Sequence, residues 1–313
     1  MNKAGLITKG VGGEYTVVCE DGIYICTALG VFRNRNITPF VGDHVVIDSN
    51  KKAIIKIEPR MNLLRRPPVA NIDQVIVTMA AAKPAFHGGL LDRFLVLAAY
   101  ENVSAVICIN KYELFQGPDF CQPYAQAGYP VVKVSAETGL GLDELRGLME
   151  GKLNVFAGPS GVGKSSLINS IIPNANMETG DISQRLGRGK HTTRHAEILP
   201  LENTNHSHRH DSDIKASNIK PPHETGSHTH SKGYCVDTPG FSSLEVDDIP
   251  IEAFSGCFLE FEPFLGLCKF SNCLHDTERD CAVKEQVGAA IHPSRYESYL
   301  AFIRRDTTSR PRR

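Results

Sequence analysis

The first 66 residues alternate apolar and polar positions in short runs: Tyr15–Cys19, Ile23–Cys26, Val45–Ile47 and Ala53–Ile57. Turn-forming residues separate them at Gly12-Gly13, Asp21-Gly22, Gly42-Asp43 and Ser49-Asn50. Evenly spaced short strands in so few residues predict a small β-barrel such as an OB-fold. Arg65-Arg66-Pro67-Pro68 then reads as a linker, because paired prolines stop both helix and sheet.

From residue 71 the pattern changes. Asp73–Met79 and Val103–Ile109 are continuous apolar, β-branched runs, the signature of parallel strands buried on both faces. Between them Leu90–Tyr100 has helical periodicity. Further strands are expected at Val131–Val134, Asn154–Ala157 and Tyr234–Val236, with helices at Leu142–Met149 and Lys164–Ile172. Strands alternating with helices predict an α/β domain with a parallel sheet. Residues 202–232 interrupt it: the segment is polar, carries His206, His208, His210, His223, His228 and His230, and includes Pro221-Pro222. It reads as a loop inserted between two sheet elements, and its histidine spacing fits no defined metal site. Past residue 250 a mixed helical region leads to a basic tail. The expected division is a β-barrel over 1–66, an α/β domain over 71–245 with its insertion at 202–232, and a C-terminal domain over 246–313.

Length and charge change this picture little. At 313 residues there is room for two or three domains, at about 150 residues each. No run of 18 apolar residues is present, so no membrane span is expected. The start, Met1 to Gly5, runs into polar sequence without the apolar core of a signal peptide, so the expected compartment is the cytoplasm. A net charge of −1 gives no general pull toward nucleic acid, but Lys51-Lys52, Arg65-Arg66, Arg185–Arg194 and the tail Arg304–Arg313 are locally basic. The nine cysteines are odd in number, and three crowd into Cys268–Cys281 beside a histidine, which reads as metal binding rather than a disulfide framework.

The chemistry lies in five short motifs. Gly158-Pro159-Ser160-Gly161-Val162-Gly163-Lys164-Ser165, with Ser166 behind it, fits G-x-x-x-x-G-K-[ST] between an expected strand and an expected helix. Glycines let backbone N–H groups face phosphates and the helix N-terminus adds a favourable dipole. Lys164 would supply a cation to the β- and γ-phosphates and Ser165 a hydroxyl to Mg²⁺. Asn110-Lys111-Tyr112-Glu113 follows an apolar strand and matches the guanine-reading motif N-K-x-D except for its acid. A carboxylate there accepts from guanine's ring N–H and exocyclic amine, and adenine would leave it unpaired. Glu113 is one methylene longer than Asp, which shifts the carboxylate by roughly 1 Å. Ser135-Ala136 matches the element whose backbone N–H supports the guanine carbonyl. Asp237-Thr238-Pro239-Gly240 fits D-x-x-G, with Asp237 toward Mg²⁺ and the Gly240 N–H toward the γ-phosphate. Between phosphate loop and D-x-x-G lies Gly187–Arg194, where Thr192 or Thr193, with Thr193 preferred, is the candidate switch threonine.

A standard GTPase meets these in the order phosphate loop, threonine switch, D-x-x-G, N-K-x-D, S-A. Here the cyclic order is kept but the starting point has moved to N-K-Y-E. Permutation is tolerable in a compact sheet domain because its termini lie close together. Cys268-x4-Cys273-x-His275-x5-Cys281 completes the inventory: three thiols and one imidazole match a closed structural zinc site, and Cys257 lies outside the spacing as a packed thiol.

That permuted order, a small barrel before it and a Cys/His cluster after it, resembles the bacterial ribosome small subunit-dependent GTPase A (RsgA) family over essentially the whole chain. Glu113 and the His-rich insertion depart from the family pattern, and the insertion falls between the two switches in sequence. The resemblance implies a monomeric cytoplasmic enzyme that binds the 30S subunit and 16S rRNA and hydrolyses GTP to GDP and phosphate late in small-subunit maturation. It also implies Mg²⁺ with the nucleotide, stimulation by the subunit, and a structural Zn²⁺ on Cys268, Cys273, His275 and Cys281. Phe241-Ser242-Ser243 stands where other GTPases carry a water-orienting glutamine, so intrinsic hydrolysis should be slow. The chain also leaves D-T-P-G directly into the Cys/His region, so motion of that switch should reach it. A P-loop ATPase or kinase, and an RNA-binding assembly factor whose GTP site is only structural, remain as alternatives from other classes.

Overall fold

The structure is a computed structural model that describes residues 1–34, 37–65, 68–172, 175, 197–201, 233–237 and 246–304. Five strands close the N-terminal barrel: β1 (Asn2–Val11), β2 (Glu14–Cys19), β3 (Gly22–Ala28), β4 (His44–Asp48) and β5 (Ala53–Ile57), with the short α1 (Gly30–Asn34) after β3. They run in the order β1–β2–β3–β5–β4, and β4 pairs back to β1, so the barrel has no free edge. Ile7, Val17, Cys26, Val45, Ile47 and Ile54 fill its interior. Among its aromatics, Phe32 is buried in the core and Tyr24 is half-buried against Lys3 and Asp21.

The ends of the segment read as a linker lie in paired strands instead: β6 (Leu63–Arg65) pairs antiparallel with β7 (Pro68–Ala70). Pro68 can stand in β7 because a three-residue, two-stranded ribbon leaves it an edge where no donor is needed. The hairpin is stitched to the barrel by Ala70 N–H donating to Val41 O at 2.9 Å and by the Asn71 amide donating to Gly42 O at 2.9 Å. Gly42 takes φ +89°, and a Cβ there would collide with Ala70 O, so this close approach needs glycine. Asp43, fully buried, is held by both nitrogens of the Arg60 fork at 2.7 and 2.8 Å and by Phe40 N–H.

The α/β unit follows: β8 (Gln74–Ala80), α2 (Gly88–Tyr100), β9 (Ser104–Asn110), α3 (Gln122–Gln126), β10 (Val131–Lys133), α4 (Leu142–Met149), β11 (Leu153–Ala157), α5 (Lys164–Ile171), β12 (Glu197–Pro200) and β13 (Tyr234–Asp237). The sheet order is β10–β9–β8–β11–β13–β12, parallel except for β12. The exposed edge of β12 is taken by β1, where Lys9 pairs with Glu197, so barrel and sheet are continuous. A bulge in β1 between Ile7 and Lys9 turns the strand toward this contact.

The direction of β12 decides where the His-rich insertion leaves the domain. β13 runs parallel to β11, with Leu153 opposite Tyr234, so Ala157 and Asp237 point to the same edge of the sheet. β12 runs back, with Glu197 opposite Asp237 and Pro200 opposite Tyr234. Leu201 N–H donates to Gly233 O at 2.8 Å, closing the base of 202–232 at the opposite edge, beside Met149 at the end of α4. Although the insertion is adjacent to the switches in sequence, its flanks Leu201 and Gly233 lie a strand length of about 10 Å from the phosphate-loop edge. Replacing 202–232 by a short turn should leave GDP affinity and basal turnover within about threefold of the parent chain. A tenfold loss in either would show that sequence adjacency, not strand direction, governs its influence.

The C-terminal domain is built from 3-10 turns at Val246–Asp248, Ile251–Cys257 and Leu259–Phe264, then α6 (Ala282–Glu285) and α7 (Pro293–Ile303). Phe254, Phe258, Phe261 and Tyr299 form its aromatic centre, with Phe261 and Tyr299 rings 4.9 Å apart. It docks on α2 and α3. Arg295 of α7, 1% exposed, pairs with Asp92 of α2 and with Glu260 at 2.6 Å, and its guanidinium lies over Tyr124, Tyr129 and Phe258. Gln126 at the end of α3 donates to Ala289 O at 2.8 Å.

Candidate nucleotide and metal sites

The glycine-rich loop sits where its sequence context requires, between the end of β11 and the start of α5. Gly158, Gly161 and Gly163 all have positive φ. A Cβ at Gly158 would strike Thr78 O of β8, and one at Gly163 would strike the Asn110 side chain, so the loop is pressed onto its neighbours. Lys164 Nζ donates to the Gly158 and Pro159 carbonyls at 2.8 Å each, and burial lowers its pKa. Phosphate oxygens in the loop would give that ammonium the counter-charge its surroundings lack. Ser165 and Ser166 open α5, half-buried at its N-terminus.

The base-side residues converge on this loop through Asn110. Its amide nitrogen donates to Val162 O at 2.8 Å, and its amide oxygen accepts from Ala136 N–H at 3.2 Å. One buried side chain thus ties together three segments that lie far apart in sequence. Lys111, at φ +58°, donates to Gly161 O at 2.7 Å and to Lys83 O at 2.5 Å. Pro84 abuts Gly161. Ser135 is fully buried, and its hydroxyl accepts from Thr138 N–H at 3.0 Å, which shapes the turn that presents Ala136. Tyr112 N–H donates to Val134 O at 3.1 Å, and Glu113 stands exposed on the next position. Sequence reasoning missed Thr78, Lys83 and Pro84; each acts through backbone or packing, which leaves no residue-type signature.

Asp237 closes β13 on the phosphate-loop edge of the sheet. Thr192, Thr193 and Gly240 lie outside the described residues, as do the stretch Arg185–Arg194, Phe241-Ser242-Ser243 and the tail from residue 305.

Cys268, Cys273, His275 and Cys281 come together with all ligand atoms within 4.8 Å of one another. Cys268 Sγ lies 3.8 Å from Cys281 Sγ, and His275 Nδ1 lies 3.5 and 3.3 Å from those sulfurs. Ligands at about 2.3 Å for sulfur and 2.0–2.1 Å for nitrogen around a tetrahedral centre would be separated by roughly 3.5–3.8 Å, so the donors fit a metal of that size. His275 takes φ +57°, held by Tyr296 Oη donating to its carbonyl at 2.7 Å. Glu278 accepts from the N–H groups of Leu274 and Asp276 at 2.8 and 2.9 Å, which curls the loop around the cluster. Cys257 is buried away from this set, its thiol against Ala253 O. Of the cations around this set, Lys269 pairs with Asp280, Arg304 with Asp276, and Lys284 donates to Glu278 O.

The RsgA GTPase family model matches residues 57–207, and the RsgA N-terminal domain model matches residues 4–55. A protein of Alkaliphilus metalliredigens strain QYMF is 41% identical over 312 residues, covering 97% of each chain. One from Geobacillus sp. strain WCH70 is 40% identical over 318 residues, covering 98% of this chain and 99% of its own. Both are named small ribosomal subunit biogenesis GTPase RsgA. Among solved structures, YjeQ from Thermotoga maritima superposes with a TM-score of 0.77 at 32% identity, covering 99% of this chain and all of that one. YloQ, described as a circularly permuted GTPase, gives 0.76 at 33% identity, covering 100% and 98%.

Proposed function

Since the chain belongs to the RsgA GTPase family, we propose that it binds the small ribosomal subunit during that subunit's biogenesis and hydrolyses GTP to GDP and phosphate there. The observation that carries the reading is the Asn110 amide, which joins the phosphate loop to the base-side turns at 135–136 and 110–113. A nucleotide bridging those segments would have its phosphates at Gly158–Ser166 and its base beside Lys111, Glu113 and Ala136.

In this reading Lys164 neutralises charge on the β- and γ-phosphates, and Ser165 and Asp237 would hold Mg²⁺, which would supply further positive charge against the phosphates. Thr193 and the Gly240 N–H sense the γ-phosphate. Glu113 accepts from guanine's ring N–H and 2-amino group. Zinc is the metal of the Cys268, Cys273, His275 and Cys281 set, in a structural role supported by an all-protein Cys₃His donor set. The protein works as a cytoplasmic monomer and meets 16S rRNA through barrel and C-terminal domain. Because Lys269 and Arg304 are already paired, phosphates there must compete with Asp280 and Asp276. Among the described residues no helix is long and apolar enough to cross a membrane.

Turnover measured with and without purified small subunits tests this. Addition of subunits should raise the GTP hydrolysis rate about tenfold or more, as catalytic groups supplied in trans do for other GTPases. A rate unchanged by subunits would remove the ribosomal assignment and leave GTP binding standing. Competition with ATP separates the kinase or ATPase alternative.

A further inference from the structure

Four aromatic rings form a chain that runs from the guanine-side turn to the segment facing the phosphate loop. Tyr112 and Phe115 bracket Glu113, and their rings stack at 5.0 Å with 16° between planes. Phe115 meets Phe120 edge-on at 5.5 Å, and Phe120 stacks on Phe86 at 4.0 Å. Phe86 lies three residues after Lys83, whose carbonyl accepts from Lys111, the residue before Tyr112. The circuit is therefore closed: backbone on one side, stacked rings on the other. A second tether crosses it, since Lys133 Nζ lies 5.2 Å above the Tyr112 ring and 2.9 Å from Asp119, which precedes Phe120.

Glu113 needs such a support. Among the described residues its carboxylate has no hydrogen-bond or ion-pair partner, and it stands exposed on a three-residue 3-10 turn, Tyr112–Leu114. Glutamate has one more rotatable bond than aspartate, so the reach of its carboxylate is set by how firmly the turn beneath it is held. We propose that the Tyr112–Phe115–Phe120–Phe86 chain is a positioning device that gives Glu113 its selectivity for the guanine 2-amino group. Phe120 and Phe86 act through Glu113 and touch no nucleotide. The inference rests on the reading of Glu113 as the guanine acceptor.

The test compares GDP with IDP, whose hypoxanthine base lacks only the 2-amino group, by competition against a fluorescent guanine nucleotide on the full chain. Loss of one hydrogen bond to a charged acceptor should make IDP about 10- to 100-fold weaker than GDP in the parent protein. Glu113→Ala should erase that preference. Phe120→Leu, and separately Phe86→Leu, should narrow it by about fivefold or more, with GDP losing more affinity than IDP because IDP offers Glu113 only the ring N–H, since small misplacements of a reading group weaken the contacts it makes. Equal loss of GDP and IDP affinity in both leucine variants would overturn the inference, because that is what general loosening produces. So would an unchanged preference in both. If Glu113→Ala itself keeps the preference, the reading of Glu113 fails and the inference falls with it. Collapse in Glu113→Ala but not in the leucine variants sinks the aromatic chain alone.

Discussion

Removing the metal from the Cys₃His set, by chelation or by Cys281→Ser, should unfold the loop from about residue 265 to 285 and unseat α7 from it. The segment has almost no other source of order. Between Phe264 and Ala282 there is no regular element, and exposed Leu267 and Phe270 add no core. Its shape comes from the donor set and from the contacts that surround it. Tyr299 Oη donates to Leu274 O at 2.6 Å, Tyr296 Oη to His275 O, and Glu278 gathers two backbone N–H groups. Those tyrosines belong to α7, so loss of the loop withdraws their partners. Where a site does not exist in the unfolded chain, binding free energy is folding free energy, about 10–16 kcal/mol apparent for structural zinc in small domains. Hydrogen exchange before and after chelation checks this, with barrel and sheet amides as internal reference. Protection of residues 268–281 that survives measured loss of metal would refute it.

Arg295→Met should destabilise the protein by about 3–5 kcal/mol, read as a shift in the denaturant midpoint. The substitution nearly preserves volume but leaves Asp92 and Glu260 facing each other out of water without a counter-charge. The cost is chiefly that of the stranded carboxylates, not the net worth of the ion triad. Replacing all three residues by apolar ones of similar size should therefore recover most of the loss. Arg295→Lys should not, because a point ammonium cannot serve both carboxylates and stack on Tyr124 and Phe258 as the planar fork does. A single-variant effect below about 1 kcal/mol would mean that water or a neighbour takes the charge.

The same triad revises how the C-terminal domain is connected. From sequence order alone, D-T-P-G runs straight into the Cys/His region, and motion of that switch should pass along the chain. In the structure the chain re-enters the described residues at Val246, which packs into the same core as α2, and Arg295 grips Asp92 on that helix. The domain that carries the Cys₃His set is thus fixed to α2, whose N-terminus follows the Lys83–Phe86 segment against the phosphate loop. A signal from the nucleotide has a route through packing as well as through the chain.

Several expectations transferred to three dimensions with little change. Leu142–Met149 is helical over those residues, and the buried strands β8, β9 and β11 fall on the apolar runs that announced them. Strong periodicity made them legible. β12 was missed because Glu197–Pro200 is four residues long and owes its strand to neighbours on both edges, β13 and β1. Arg65–Pro68 was read as a linker because paired prolines forbid an interior strand, and only the barrel surface beside them makes the short ribbon of β6 and β7 worth forming.

What the sequence by itself determined was the chemistry: a glycine-rich loop ending in Lys164-Ser165, an acid after Asn110-Lys111, and three cysteines with a histidine. These depend on residue type at short spacing, which a chain carries wherever it folds. What only the tertiary structure decided was arrangement. The Asn110 side chain joins three motifs, Arg295 crosses a domain boundary, four rings brace Glu113, and an antiparallel strand puts Leu201 and Gly233, which flank the histidine-rich insertion, at the sheet edge opposite the phosphate loop. Each depends on groups that meet only after distant strands have paired, so no local pattern of residues could have announced them.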